Sequence, residues 1–255
     1  MPLGLVASVG IFVGGVSFGF AGFAFALFAT SALALDAPPH VVVPAVMLVG
    51  DTLALPLLWE HRRHLDRRQL RTVPPFTLAS LALLTAGVAF GAFLLGHVPS
   101  AVGRLALAAV VLVFVGFQVR RGLGPAAPLP PVRWWRRPAS AAFAGGTLDG
   151  WLGTGGVAIA MFLAARRVAP GLFVAAILAY FLVSDTIRAV TYAVLGYWTA
   201  AVFALYVRTV LIAVAGYLGG ILLRRLLPSE RAFRAVVLVL LTAYAVALIA
   251  RSVAS

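Results

Sequence analysis

Six apolar runs, at 41–58, 74–98, 101–119, 171–198, 199–223 and 232–250, are each long enough to cross a hydrocarbon core of roughly 30 Å as a helix. Two more, 2–35 and 139–165, are as apolar but riddled with glycine. Glycine costs about 1 kcal/mol relative to alanine in a helix interior, so these two runs predict helices that break. The longest polar connection, 121–138, is too short for a soluble domain.

The pattern repeats. GGVSFGFAG (14–22) returns as GGTLDGWLG (145–153), and VGDTLAL (49–55) as VSDTIRA (183–189). Gly87, Gly91, Pro99 and Ser100 return as Gly216, Gly220, Pro228 and Ser229. The offsets, 131, 134 and 129, divide the chain into a first membrane repeat (1–120), a basic cytoplasmic linker (121–138) and a second membrane repeat (139–255). Duplicated, glycine-broken apolar units are a common plan of secondary transporters, with the substrate site where the copies meet.

Arginine sets the expected topology. All 20 basic side chains other than histidine are arginine, and cytoplasmic segments collect positive charge. If 2–35 and 139–165 dip in and return to the side they came from, sixteen arginines fall on one side, with only Arg104 and Arg251 opposite and Arg188 and Arg208 inside spans. Single crossings by every run give a much poorer bias. The expected fold is therefore an all-α polytopic membrane protein. It has two inverted repeats, each a Gly-broken re-entrant helical hairpin plus three transmembrane helices. Eight full transmembrane helices are the alternative. The expected location is the bacterial inner membrane, with both termini periplasmic. The start of the chain lacks the basic segment of a removable signal peptide.

Composition agrees. With 63% hydrophobic residues, 11% charged and a mean hydropathy of +1.06, this is no ordinary soluble domain. The net charge of +13 reads as topological signalling and contact with lipid rather than nucleic acid. Absence of cysteine excludes disulfides and thiolate metal sites. Glu60, His61, His64 and Asp66 lie among arginines that repel a cation, so the run reads as a solvated loop and not a metal centre. Arg133, Trp134, Trp135, Arg136 and Arg137 read as an interfacial anchor.

The second glycine run, Gly146, Gly150, Gly153, Gly155 and Gly156, resembles the signature of the TauE/SafE-type sulfite exporters, also called the TSUP family: G-x-x-x-G-x-x-G-x-G-G near the start of each half. The first copy keeps Gly15, Gly19 and Gly22, then reads Phe-Ala-Phe, and the proline that commonly follows is missing from both. The resemblance covers the whole chain through its duplication. It implies a transporter of sulfite or an organosulfonate rather than an enzyme.

Candidate chemistry concentrates in the second copy. Where a half-helix begins, free N–H groups and the positive end of its dipole can hold an anion. Gly153, Gly155 and Gly156 with Thr154 and Trp151 are the expected cradle, and Gly22 and Ser17 its counterpart in the first copy. Close packing through small residues is the competing account of the same glycines. Asp51 and Asp185 occupy equivalent positions and, with Asp149, are expected proton carriers. A mid-membrane carboxylate must face a cavity or a partner. Arg188, one turn beyond Asp185, is within its reach and is the expected substrate contact, although a fixed ion pair fits equally well. Arg208 is expected to bridge Asp149 or Asp185. No cofactor is called for. A passive anion channel on the same scaffold is the alternative function, and a homodimer is one option for the assembly.

Overall fold

The structure, a computed structural model, describes residues 4–22, 24–61, 78–122, 138–165, 170–226 and 230–253. Among these residues the chain is all helical. In order the helices are α1 (Leu5–Ala21), α2 (Phe25–Leu33), α3 (Pro39–His61), α4 (Leu78–His97), α5 (Ser100–Gly122), α6 (Pro138–Leu152), α7 (Gly156–Ala165), α8 (Pro170–Val194), α9 (Ala200–Leu226) and α10 (Glu230–Val253). Five of them, α3, α4, α5, α8 and α9, are long and apolar enough to cross a membrane; the apolar stretches Leu5–Phe20 and Val237–Val253 are shorter. A multi-pass membrane protein, as the hydropathy predicts, is the result. Pro39, Pro138 and Pro170 open α3, α6 and α8, where a fixed φ suits the first turn and no N–H partner is lost. His64, Asp66 and the 133–137 anchor lie outside the described residues.

Neither glycine-rich run is one continuous helix. α1 ends where Gly22 takes φ +75°, its N–H reaching Phe18 O at 2.7 Å. α2 then returns along α1, with Ala32 against Gly10 and Phe28 against Gly14. α6 ends the same way: Gly153 has φ +68°, its N–H reaches Asp149 O at 3.0 Å, and the Thr154 N–H reaches Leu148 O at 3.2 Å. Both are left-handed helix ends of the kind glycine permits. α7 returns so that Ile159 packs on Gly145. The returning helices, nine and ten residues long, measure about 14–15 Å, half a hydrocarbon core.

The helices sort into two compact units, each drawing on both halves of the sequence. The first holds α1, α2, most of α3, α5, α9 and α10; the second holds the end of α3 with α4, α6, α7 and α8. Each contains a glycine lock. In the first unit a methyl group on Gly15 or Gly19 of α1 would collide with the carbonyls of Ala213 or Tyr217 on α9. One on Gly216 or Gly220 would strike those of Phe12 or Val16. In the second unit, Gly146 and Gly150 of α6 meet the Leu84 and Val88 carbonyls of α4, and Gly87 and Gly91 meet those of Phe143 and Thr147. Only glycine lets two helix backbones approach this closely. The first part of each signature is thus a packing device, and only its last glycines make the break.

Candidate functional site

The second unit buries a charged cluster at the α6–α7 break. α6 carries Asp149, one turn before its glycine end. α8 carries Ser184 and Asp185 side by side, with Arg188 one turn beyond both. The same unit holds a buried apolar core that includes Leu84, Val88, Ile159, Phe162, Ile177 and Tyr180. Asp149 is 1% exposed, Arg188 3% and Asp185 8%. Arg188 is the single arginine among the described residues whose side chain is buried.

The guanidinium acts as a fork. Nη1 donates to Asp149 Oδ1 at 3.0 Å and to the Asp149 carbonyl at 3.1 Å. Nη2 meets Asp185 Oδ1 at 2.7 Å. A planar guanidinium suits such divided, buried duty better than an ammonium. The Ser184 hydroxyl donates to Asp149 Oδ2. The Gly155 N–H, just ahead of α7, donates to Asp149 Oδ1 at 3.2 Å. A carboxylate against the first amides of a helix is favoured by its dipole. Asp149's own carboxylate therefore occupies the amide cradle that the glycine pattern suggests for a foreign anion.

Tyrosines close the cluster. The Tyr192 hydroxyl donates to Gly150 O at 2.9 Å, and the Arg188 guanidinium carbon lies 6.0 Å from its ring centre. The Tyr180 hydroxyl packs against Gly155, where an added methyl would stand 2.6 Å from it. Beyond α8, Tyr197 donates to Ala92 O at 3.0 Å, and Trp198 Nε1 to Ala189 O at 3.1 Å. Burial holds the Tyr197 phenol above its ordinary pKa, so it donates throughout the physiological range.

The expected residues divide between the units. Asp149, Asp185, Arg188, Gly153, Thr154, Gly155 and Gly156 lie in the second, with Trp151 half-buried beside them. The Thr154 hydroxyl is buried without a hydrogen-bond partner among the described residues. Gly156 packs under the Phe181 ring. Ser17, Gly22, Asp51 and Arg208 lie in the first unit. Ser17 is buried with its hydroxyl likewise unpartnered. Asp51 is half-buried; the next residue, Thr52, has its hydroxyl 3.1 Å from that of Tyr206. Arg208 is exposed on α9, and within the second unit Arg188 pairs with both Asp149 and Asp185. At positions equivalent to Asp149, Ser184 and Arg188 the first copy has Phe18, Gly50 and Ala54. Of the cluster's charged residues, only Asp185 has a charged equivalent in the first copy, Asp51.

The cluster is thus a buried cation divided between two carboxylates at a helix break inside an apolar bundle. The family model described as Sulfite exporter TauE/SafE matches residues 6–248. The chain belongs to the TauE/SafE sulfite exporter family. No curated protein and no solved structure matches it. Membership of the TauE/SafE family makes it a membrane transporter of the sulfite-exporter kind. Ser184 and the tyrosines around Arg188 were not among the residues that the sequence singled out. Ser184 stands beside Asp185 in VSDT where the first copy has glycine, and that departure from the repeat was the available signal.

Proposed function

We propose that the Arg188 cluster is the anion site of a secondary transporter. It carries a small sulfur oxyanion, sulfite or an organosulfonate, across the bacterial inner membrane. One observation carries the reading: a guanidinium buried in an apolar span beside a helix break. A charge at that depth is expensive and is characteristically found on a substrate or ion pathway. Thr154, adjacent in the chain to the amide that holds Asp149, offers a buried hydroxyl free to donate. Gly153, Gly155 and Gly156 keep the turn slim, and Trp151 supplies a flat edge. Gly22 makes the corresponding break in the first copy, with Ser17 buried in the helix before it.

The two fold-back helix pairs support a topology of inverted repeats, each with one re-entrant hairpin, and the arginine asymmetry supports termini outside the cytoplasm. Alternation between inward- and outward-open states then moves the anion without nucleotide hydrolysis. A ligand panel tests the substrate class. Sulfite, thiosulfate, sulfate, taurine and acetate are added in turn to the detergent-purified protein, and its unfolding temperature is recorded. A ligand that binds only the folded state raises that temperature with concentration. Sulfite or a sulfonate is expected to do so and acetate not. A response to none of the sulfur anions contradicts the reading.

A further inference from the structure

Resting on that anion-site reading, we infer that Asp185 is a proton-operated gate on Arg188, so that the anion and a proton bind together. The two carboxylates differ in exposure. Asp149 accepts from the Ser184 hydroxyl, the Gly155 amide and Arg188 at once, and its carbonyl takes a further Arg188 hydrogen bond. It is the built-in counter-ion of the α6–α7 turn. Asp185 is the more accessible of the two and meets the outer arm of the fork, Nη2.

Counting charge gives the sign. With both carboxylates ionised, the cluster carries one more negative charge than positive, and an arriving anion competes with Asp185 for Nη2. A proton from water, taken up on an Asp185 carboxylate oxygen, removes that competitor and brings the cluster to neutrality. The freed N–H groups then face the anion. Deprotonation restores the ion pair and expels the anion. Other titratable groups on the packed helices do not supply the step. α8 adds only Tyr180 and Tyr192, α6 only Asp149 and α7 none, while α4 has only His97 at its end, bonded to Phe93 O at 2.8 Å. Tyr197 follows α8 and donates to Ala92 O.

The test is equilibrium binding of radiolabelled sulfite and, separately, thiosulfate to the purified protein between pH 6 and pH 8.5. Thiosulfate stays fully ionised over this range, which separates protonation of the protein from protonation of the ligand. Wild-type affinity for both is expected to weaken as pH rises, by up to about tenfold per unit. Asp185→Asn mimics the protonated state, so it is expected to bind thiosulfate at pH 8.5 at least as tightly as wild type does at pH 6, with no pH dependence. A flat wild-type profile for thiosulfate overturns the inference, as does an Asp185→Asn protein that folds and binds more weakly than wild type at every pH. Either result leaves the anion site standing. Binding of neither anion at any pH defeats the anion-site reading and this inference with it.

Discussion

Arg188 Nη1 and Asp149 Oδ1 lie 3.0 Å apart, although thirty-nine residues separate them in the chain. The pair joins α8 to the glycine-broken end of α6, and Asp149 simultaneously caps α7 through the Gly155 amide. One carboxylate thus fixes the geometry of three helices. Asp149→Asn is expected to cost on the order of 1–3 kcal/mol, because Asp149 accepts from Ser184, Gly155 and Arg188 at once and an amide cannot satisfy all three donors. Asp185→Asn is expected to cost clearly less, because Arg188 keeps Asp149. Thermal unfolding in detergent checks the order, and equal losses would contradict it.

The returning turn leaves no room at Gly155. An added methyl would strike the Gly145 carbonyl and stand 2.6 Å from both Asp149 Cβ and Tyr180 Oη. Gly155→Ala is expected to destabilise by about 1–3 kcal/mol, the range for overpacked sites. Gly219→Ala is the comparison: its nearest neighbour would be Val16 Cγ2 at 3.9 Å. Its unfolding temperature should match wild type or exceed it, since alanine favours the helix.

Ala24 has φ +75°, the one described residue other than glycine in the left-handed region. The equivalent position in the second copy is Gly155. Ala24→Gly is expected to relieve roughly 1 kcal/mol of backbone strain, minus a smaller entropic loss. A rise in unfolding temperature is the expected result; a fall would mean that the methyl group has a packing role.

Tyr192 is fully buried and donates to Gly150 O at 2.9 Å. Tyr192→Phe keeps the ring but loses the donor, for an expected 0.5–1.5 kcal/mol. The same change at Tyr197, whose hydroxyl reaches Ala92 O from a partly exposed loop, should cost less. Stability in detergent, measured on both variants, orders the two sites.

Much of this was legible from hydropathy and spacing. Five of the six long apolar runs return as helices long enough to span, because a hydrocarbon core demands a minimum length, while in the sixth the apolar stretch among the described residues, Val237–Val253, is shorter. The three-residue interval between Asp185 and Arg188 placed the two side chains within reach of each other, because helical periodicity is local. Asp149 is different. Its meeting with Arg188 depends on how α6 packs against α8, which no short-range pattern encodes. The glycines also hid two roles in one signature: Gly146 and Gly150 are spaced for helix contact, while Gly153 stands where the helix ends. Composition alone cannot separate these, since both uses select for the absence of a side chain. Arg208 lies as deep in its run as Arg188 does, yet it is exposed on α9. Depth along a helix does not say which way a face turns.

The most direct test of Arg188 as the anion contact is sulfite counterflow into liposomes holding the purified protein. Wild type is compared with Arg188→Lys and Arg188→Gln, each first verified as folded. Wild type is expected to exchange sulfite. Arg188→Gln should lose at least about thirtyfold, the equivalent of roughly 2 kcal/mol, and Arg188→Lys should retain part of the flux through its charge. Wild-type flux in a folded Arg188→Gln protein would contradict the account.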